Sequence, residues 1–286
     1  MLRLFKKKKK DPQKLLKELL DGYELPNFPR AVMNALKKLR NIDIPLKEVA
    51  HEIEKDPGMH IMVLQYVNSA AFGLCKKVSN VGHAVNLLGR SRLESLILPL
   101  AVKESMPNFK APCLNLKKFW YTSGFRASLA RRIAEEVHPA TIDDSFTAAL
   151  LQDMAIPVLI AQKKEEYCLT LEKWDEENGV KLPELERAHF GFDHQTVGGL
   201  MAEQWEFPPN LKLCIEAHHD KRPNPEVPNA VKLVASIRYL NGSMPEQEVA
   251  PLIEKCTVDF GISDYQLKKM VKQAMDEANE MANLMN

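Results

Sequence analysis

Residues 144–161 read DSFTAALLQDMAIPVLIA, and the period of their apolar positions decides the class of fold. Phe146, Leu150, Asp153 and Pro157 follow one another at spacings of four, three and four, which is a single face of a 3.6-residue helix. That face turns the Asp153 carboxylate inward among apolar neighbours. An inward carboxylate needs a partner, which can be a cation, an imidazolium or backbone N–H groups. Pro157 cannot donate to the carbonyl of Asp153, so the helix is expected to bend there and to free that oxygen too.

The same three-and-four recurrence continues almost everywhere outside this segment, and β-branched or alternating runs bounded by turns are nearly absent, so the chain reads as all-α. Helices are expected over 12–21, 28–40, 45–55, 57–69, 80–88, 91–105, 115–137, 144–161, 164–178, 183–190, 194–205, 209–219, 228–240, 246–258 and 263–284. Asp56 can accept from the first free amides of its helix, while Pro57 sits where its missing N–H costs nothing. The helix that follows is expected to turn Ile61, Leu64 and Asn68 inward and to end on the small residues Ser69, Ala70 and Ala71. A buried Asn68 amide must be hydrogen-bonded or cost on the order of 1–3 kcal/mol, and it is read as structural. Ser79 is the expected cap of the next stretch, which runs through Ala84, Leu87 and Leu88 to a left-handed stop at Gly89.

With 286 residues, 45% of them hydrophobic, the chain can bury one large core or two smaller ones, and two subdomains are expected. The proline-bounded stretch Pro107 to Pro112 is the expected joint between a bundle over 12–107 and a second over 113–240, with a tail over 1–11 and an extension over 241–286. Thirty-nine basic residues against 38 acidic ones leave a formal charge of +1, too balanced for duplex nucleic acid as the main partner. Only the run Lys6 to Lys10 departs from this balance; it reads as a solvated tail, with weak attraction to anionic lipid or an acidic protein surface as the sharper alternative. Cys75, Cys113, Cys168, Cys214 and Cys256 are odd in number, widely separated and lack a Cys-x-x-Cys pair. They read neither as a disulfide framework nor as a thiolate metal site, and a reducing cytoplasm is the natural setting.

Chemistry is carried by Asp153 and by three imidazoles. His194 follows the capping residue Asp193 and shares a stripe with Val197 and Met201, while Gly198-Gly199 would admit a tightly packed neighbour. His218 shares a face with Leu211, Cys214 and Ile215, with His219 beside it. Arg126, Arg131 and Arg132 on one helix, and Arg90 and Arg92 on another, could collect an anion, but solvated faces and surface ion pairs are the expectation. The methionine-rich segment with Ile253, Val258, Leu267, Met270, Val271, Met275, Met281 and Met285 is expected to serve core packing or as a capping helix rather than to offer an adaptable surface.

Taken in order, Leu25-Pro26, Asp56-Pro57, Asn68-Ser69-Ala70, Ala84 to Leu88-Gly89, Phe119-Trp120, Leu150-Leu151-Gln152-Asp153, Asp193-His194 and His218-His219 resemble the HDOD family over roughly residues 18–240. The resemblance implies an amino-terminal helical bundle packed on a degenerate relative of the HD and HD-GYP phosphohydrolases. It also implies a bacterial signalling module without established catalysis. Transferred onto this sequence, the hydrolase pattern places Thr122 two residues after Trp120 where its first histidine belongs. Gln152 stands at the histidine of the His-Asp doublet, Ala155 at a glycine and Ser236 at the late aspartate.

Two-metal phosphodiester hydrolysis needs cations about 3.5–4 Å apart, with enough carboxylate to offset their repulsion. One carboxylate is too few, and Gln152, Thr122 and Ser236 supply only neutral oxygens. No catalytic residue, bound metal or other cofactor is therefore expected, and Asp153, His194, His218 and His219 are vestigial. Asp153 is expected to pair with His194 or His218 in a buried polar network, raising the imidazole pKa, and a single divalent cation on Asp153 and two histidines is the alternative. The expectation is a non-catalytic cytoplasmic regulator that binds signalling proteins. Its rivals are a metal-dependent phosphohydrolase acting on a nucleotide or cyclic dinucleotide, and a nucleic-acid or membrane binder using the lysine run.

Overall fold

The structure, a computed structural model, describes residues 12–68, 76–107, 109–176, 180–220, 224–238 and 246–284. Fifteen α-helices and one 3-10 turn follow one another among them, with no strand and one isolated bridge between Ala111 and Leu114. The chain is all-α, as its periodicity requires. The helices are α1 (Pro12–Leu19), α2 (Arg30–Arg40), α3 (Leu46–Glu54), α4 (Pro57–Val67), α5 (Val81–Glu104), α6 (Leu116–Val137), α7 (Ile142–Leu151) and α8 (Ala155–Gln162). They continue with α9 (Lys164–Glu176), α10 (Leu182–Phe190), α11 (His194–Gln204), α12 (Pro209–Ala217), α13 (Asn229–Val234), α14 (Glu246–Phe260) and α15 (Asp264–Leu284).

Helices α2 to α5 pack on one another, and α5 then leans on α7, which joins them to the second half. In that half α6 lies against α7, α13 and α15, while α11 and α12 pair closely. Helix α1 packs on α11 rather than within its own half, and Trp205 fixes the chain beyond it by stacking on Phe28 and donating from Nε1 to the Pro26 carbonyl at 2.9 Å. Among the described residues one stretch, Pro139–Gln162, is long and apolar enough to cross a membrane, and 89% of its 18-residue apolar window is buried inside the fold.

Asp56 caps α4 by accepting from Met59 N at 2.9 Å, with Pro57 at the first helical position. The inward face of α4 is not the one expected, however. Met59, Met62, Val63 and Val67 are buried, while Ile61 is 55% exposed and Asn68 faces solvent. All four buried residues are apolar, and their stripe ends one position before Asn68. Asn68 is instead a clasp: its Nδ2 donates to the carbonyls of Leu64 and Val78 at 2.8 and 2.7 Å, and its Oδ1 accepts from Val78 N at 2.7 Å. Ser69, Ala70, Ala71 and Cys75 lie outside the described residues, as do Lys6 to Lys10.

The cap of α5 is Asn80, which accepts from His83 N at 2.9 Å, and not Ser79. Gly89 interrupts α5 at φ 70° and ψ 179°, so the expected stop is a kink after which the helix resumes at once. Trp120 is buried on α6 with Phe119 edge-on at 5.1 Å. Of the arginines expected on surfaces, Arg90 donates to the carbonyls of Lys38, Leu39, Ile42 and Ile44 and so ties down the end of α2. Arg131 lies 3.8 Å above the Phe146 ring, and Arg132 pairs with Glu277 of α15 at 2.5 Å. Helix α15 packs on α6 as a capping helix: Ala274, Ala278 and Ala282 are buried, and a Cβ on Gly124 would meet Met281 at 3.3 Å. Val258, at 77% exposed, departs from that apolar face, and Met285 lies outside the described residues.

Candidate functional site

The stretch 144–161 is not a single helix. Helix α7 ends at Leu151, Gln152 to Met154 form a tight turn, and α8 starts at Ala155 with Pro157 in its first turn. The missing N–H of Pro157 breaks the ladder upstream of the proline rather than at it. The Asp153 carbonyl is not freed, because Ile156 N donates to it at 2.9 Å. The break leaves Asp153 4% exposed, with its carboxylate turned towards His194 and His218.

Two other helix ends converge on it. Asp193 caps α11, accepting from Thr196 N and Oγ1 at 2.8 and 2.7 Å, which places His194 in the first turn, fully buried. His218 follows the last residue of α12, and its Nδ1 bonds the Ile215 carbonyl at 2.7 Å. Gly198 and Gly199 make this approach possible, since a Cβ there would lie 2.9 Å from Ile215 Cγ2 and 2.3 Å from Glu216 Cγ. His194 Nε2 and His218 Nε2 are consequently 3.2 Å apart, and each faces Asp153 Oδ1, at 3.4 and 3.3 Å. No hydrogen bond of good alignment reaches that oxygen. His219 is half-buried at the edge, its ring centroid 5.3 Å from that of His194.

One residue that the sequence reading passed over, Glu186, and one that it placed on a solvated face, Arg126, complete the cluster. Glu186, on α10 and fully buried, accepts from His194 Nδ1 at 2.7 Å and His194 N at 3.0 Å through Oε2, and from the Tyr167 hydroxyl through Oε1. Arg126, on α6, is 3% exposed rather than solvated; Nη1 donates to Asp153 Oδ2 and Nη2 to the Ile237 carbonyl. It stands one helical turn after Thr122 and reaches to the carbonyl of Ile237, the neighbour of Ser236, so its guanidinium lies close to two of the positions that the resemblance compares with hydrolase ligands. Thr122 is itself buried, Ser236 Oγ is turned back onto the Leu233 carbonyl at 2.8 Å, and the buried Gln152 amide has no hydrogen-bond partner.

These neighbours set the charges. Burial would raise the pKa of Asp153, but the Arg126 guanidinium beside it, with His218 and His194, outweighs that and holds the carboxyl well below the usual carboxylate range. Burial would lower His194, yet Glu186, Asp153 and Asp193 raise it overall. For His218 burial wins despite Asp153, and the pKa falls. His219 is pushed well down by burial and by the two imidazoles next to it.

Asp153 Oδ1 and the two Nε2 atoms fit one divalent cation, because ligand atoms about 2.0–2.2 Å from a tetrahedral metal stand roughly 3.3–3.6 Å from each other. Both Nδ1 atoms are bonded to an oxygen acceptor, which is how metal-ligating imidazoles are usually oriented. A second cation does not fit, since Oδ2 is occupied by the guanidinium of Arg126.

The HDOD domain pattern matches residues 25–221, more than half of the chain. The chain belongs to the HDOD family. Its fold superposes on that of an HDOD domain protein of unknown function from Geobacter sulfurreducens with a TM-score of 0.69, at 23% identity, covering 96% of this chain and 97% of that one. A candidate phosphohydrolase from Shewanella amazonensis gives 0.73 at 22% identity, covering 95% and 98%. A candidate signal transduction protein from Marinobacter aquaeolei gives 0.72 at 16% identity, covering 94% and 61%. At these identities the likeness is one of fold. An uncharacterized protein of Treponema pallidum is 23% identical over 235 residues, and the match spans 79% of this chain but less than half of that relative, 44%.

A sequence signal for Arg126 exists. From Phe119 to Ala130 every residue of α6 is buried, and the string FWYTSGFRASLA is apolar or small on all sides apart from that one charge. A lone cation on such a helix has to be paired inside the protein. Glu186 offers a weaker signal, because α10 carries further charges beside it, Glu184 and Arg187.

Proposed function

We propose that this HDOD chain is a non-catalytic regulatory module, working in a bacterial cytoplasm by binding other signalling proteins through its helix faces. Its hydrolase-like pocket is held shut by an arginine and a proton where a hydrolase holds divalent cations. The observation that carries this is Arg126, buried and bonded to both Asp153 and the Ile237 carbonyl. With Arg126 and an imidazolium at His194 opposite the carboxylates of Asp153 and Glu186, the charges cancel, and a proton on His194 Nε2 lies between His218 Nε2 and Asp153 Oδ1. A pocket closed in this way is a rigid centre for the bundle, and function passes to the outer faces. The name of the Marinobacter neighbour is in keeping with a signalling role. Lys6 to Lys10 add at most a weak, salt-sensitive contact with an acidic surface, without sequence-specific nucleic-acid recognition.

The three-atom face of Asp153, His194 and His218 favours a second reading, a single divalent cation that would polarise a bound water for phosphoester hydrolysis. Protein purified without chelator separates the two. Substoichiometric metal and no turnover of a generic phosphodiester with added manganese are expected. Stoichiometric metal together with turnover that Asp153→Asn abolishes would overturn the regulatory reading.

A further inference from the structure

Contrary to the expectation from cysteine spacing, Cys113 and Cys168 are joined in a disulfide across 55 residues, with Cα atoms 5.3 Å apart, inside the normal range for such a bond. Its two ends lie on the two arms that hold the Asp153 cluster. Cys113 is half-buried in the connection after α5, two residues before Asn115, which caps α6 by accepting from Lys118 N at 3.1 Å; α6 is the helix that carries Arg126. Cys168 follows Tyr167 on α9, and the Tyr167 hydroxyl donates to Glu186, which in turn holds His194 by its main-chain N–H and Nδ1. The covalent bond therefore closes a ring that runs from α6 through Arg126 and Asp153 to His194, Glu186, Tyr167 and back.

We propose that Cys113–Cys168 is a reversible thiol–disulfide modification site, acted on by a dithiol reductant or a small-molecule disulfide, and that its state sets how firmly His194 is held. A thiolate of the dithiol attacks Cys113 Sγ, the more open of the two sulfurs by residue exposure, and Cys168 leaves as a thiolate that takes a proton. The second thiol of the reagent then attacks the mixed disulfide, the reagent leaves as its own disulfide, and Cys113 takes a proton; two electrons and two protons pass to the protein. The other two described cysteines cannot divert this exchange. Cys214 and Cys256 are buried, with thiols pushed up to about 12 and about 11, so neither supplies a thiolate at neutral pH. In a reducing cytoplasm a disulfide of this kind is a transient, redox-sensing bond rather than a permanent brace. The inference does not depend on whether the pocket holds a proton or a cation, because either one on His194 Nε2 links it to Asp153 Oδ1 while Nδ1 keeps its bond to Glu186.

The test uses the full chain without substitutions first. After exposure to a small-molecule disulfide, native-state alkylation and peptide mapping should leave Cys113 and Cys168 unlabelled; after dithiothreitol, both should be labelled. Amide hydrogen exchange should then be faster by about tenfold or more at His194 and along α9 in the reduced protein, since exchange follows local opening. Cys113→Ser, checked for an unchanged helical circular dichroism signal, should show the faster exchange without reductant and no further response to it. Labelling of both cysteines after oxidation overturns the modification site, as does a disulfide that yields to reductant only after denaturation. Unchanged exchange at His194 on reduction overturns the coupling.

Discussion

A guanidinium and a carboxylate buried together are costly to separate, and this gives Arg126 its weight. Replacing it with glutamine leaves Asp153 charged or forces it to take up a proton inside the protein, at an expected cost of about 3–5 kcal/mol in a denaturant titration. In the double variant Arg126→Gln/Asp153→Asn the loss should be clearly smaller, because neither partner is left stranded. The same single variant removes the positive charge beside the Asp153 carboxylate, so zinc or manganese should raise the melting temperature of Arg126→Gln and leave that of the wild type in place. Much of this cluster was legible in the sequence: Asp153 by its stripe, His194 by its cap, His218 by the face it shares with Ile215. What escaped was the partner. The arginine was read by its usual surface habit, although its apolar surroundings on α6 called for the opposite.

Elements were most legible where one residue type has one physical use. Asp56-Pro57, Asp193 and Gly89 all mark a start or a break in the chain, because capping oxygens, a missing N–H and a positive φ act locally. Faces and breaks that depend on neighbours were less legible. The inward side of α4 was misplaced by reading a stripe that ended on an asparagine, and the interruption before Pro157 lies one turn earlier than the proline itself. Helix α3 supplies a prediction of its own. Glu52 accepts from Lys38 and Lys55, each at 3.1 Å, and from Asn34 at 3.3 Å, and the lysines and asparagine bring its pKa from 4.5 down to about 2. A pKa lowered on folding contributes stability that is present above pH 4.5 and fades as the pH falls through about 2. Denaturation midpoints measured across that window should fall more steeply for the wild type than for Glu52→Gln.

At the scale of the whole molecule, the joints are made by packing that no local pattern announces. Helix α1 crosses to α11, α15 covers α6 through Gly124 and Ala278, and Ser128 and Arg132 both bond Glu277. Removing residues 264–286 should uncover the α6 face and produce a less cooperative unfolding transition with self-association on size-exclusion chromatography. Pairings of this kind, like that of Cys113 with Cys168, depend on distances that only the folded chain defines. The arginine within the cluster also limits how the pocket can change. A histidine introduced at position 122 or 152 would draw a metal towards a fixed positive charge, while loss of Arg126 alone would strand an acid in the interior. Each single step towards a metal-loaded pocket is therefore penalised, and Arg126 works as a latch that only paired changes release.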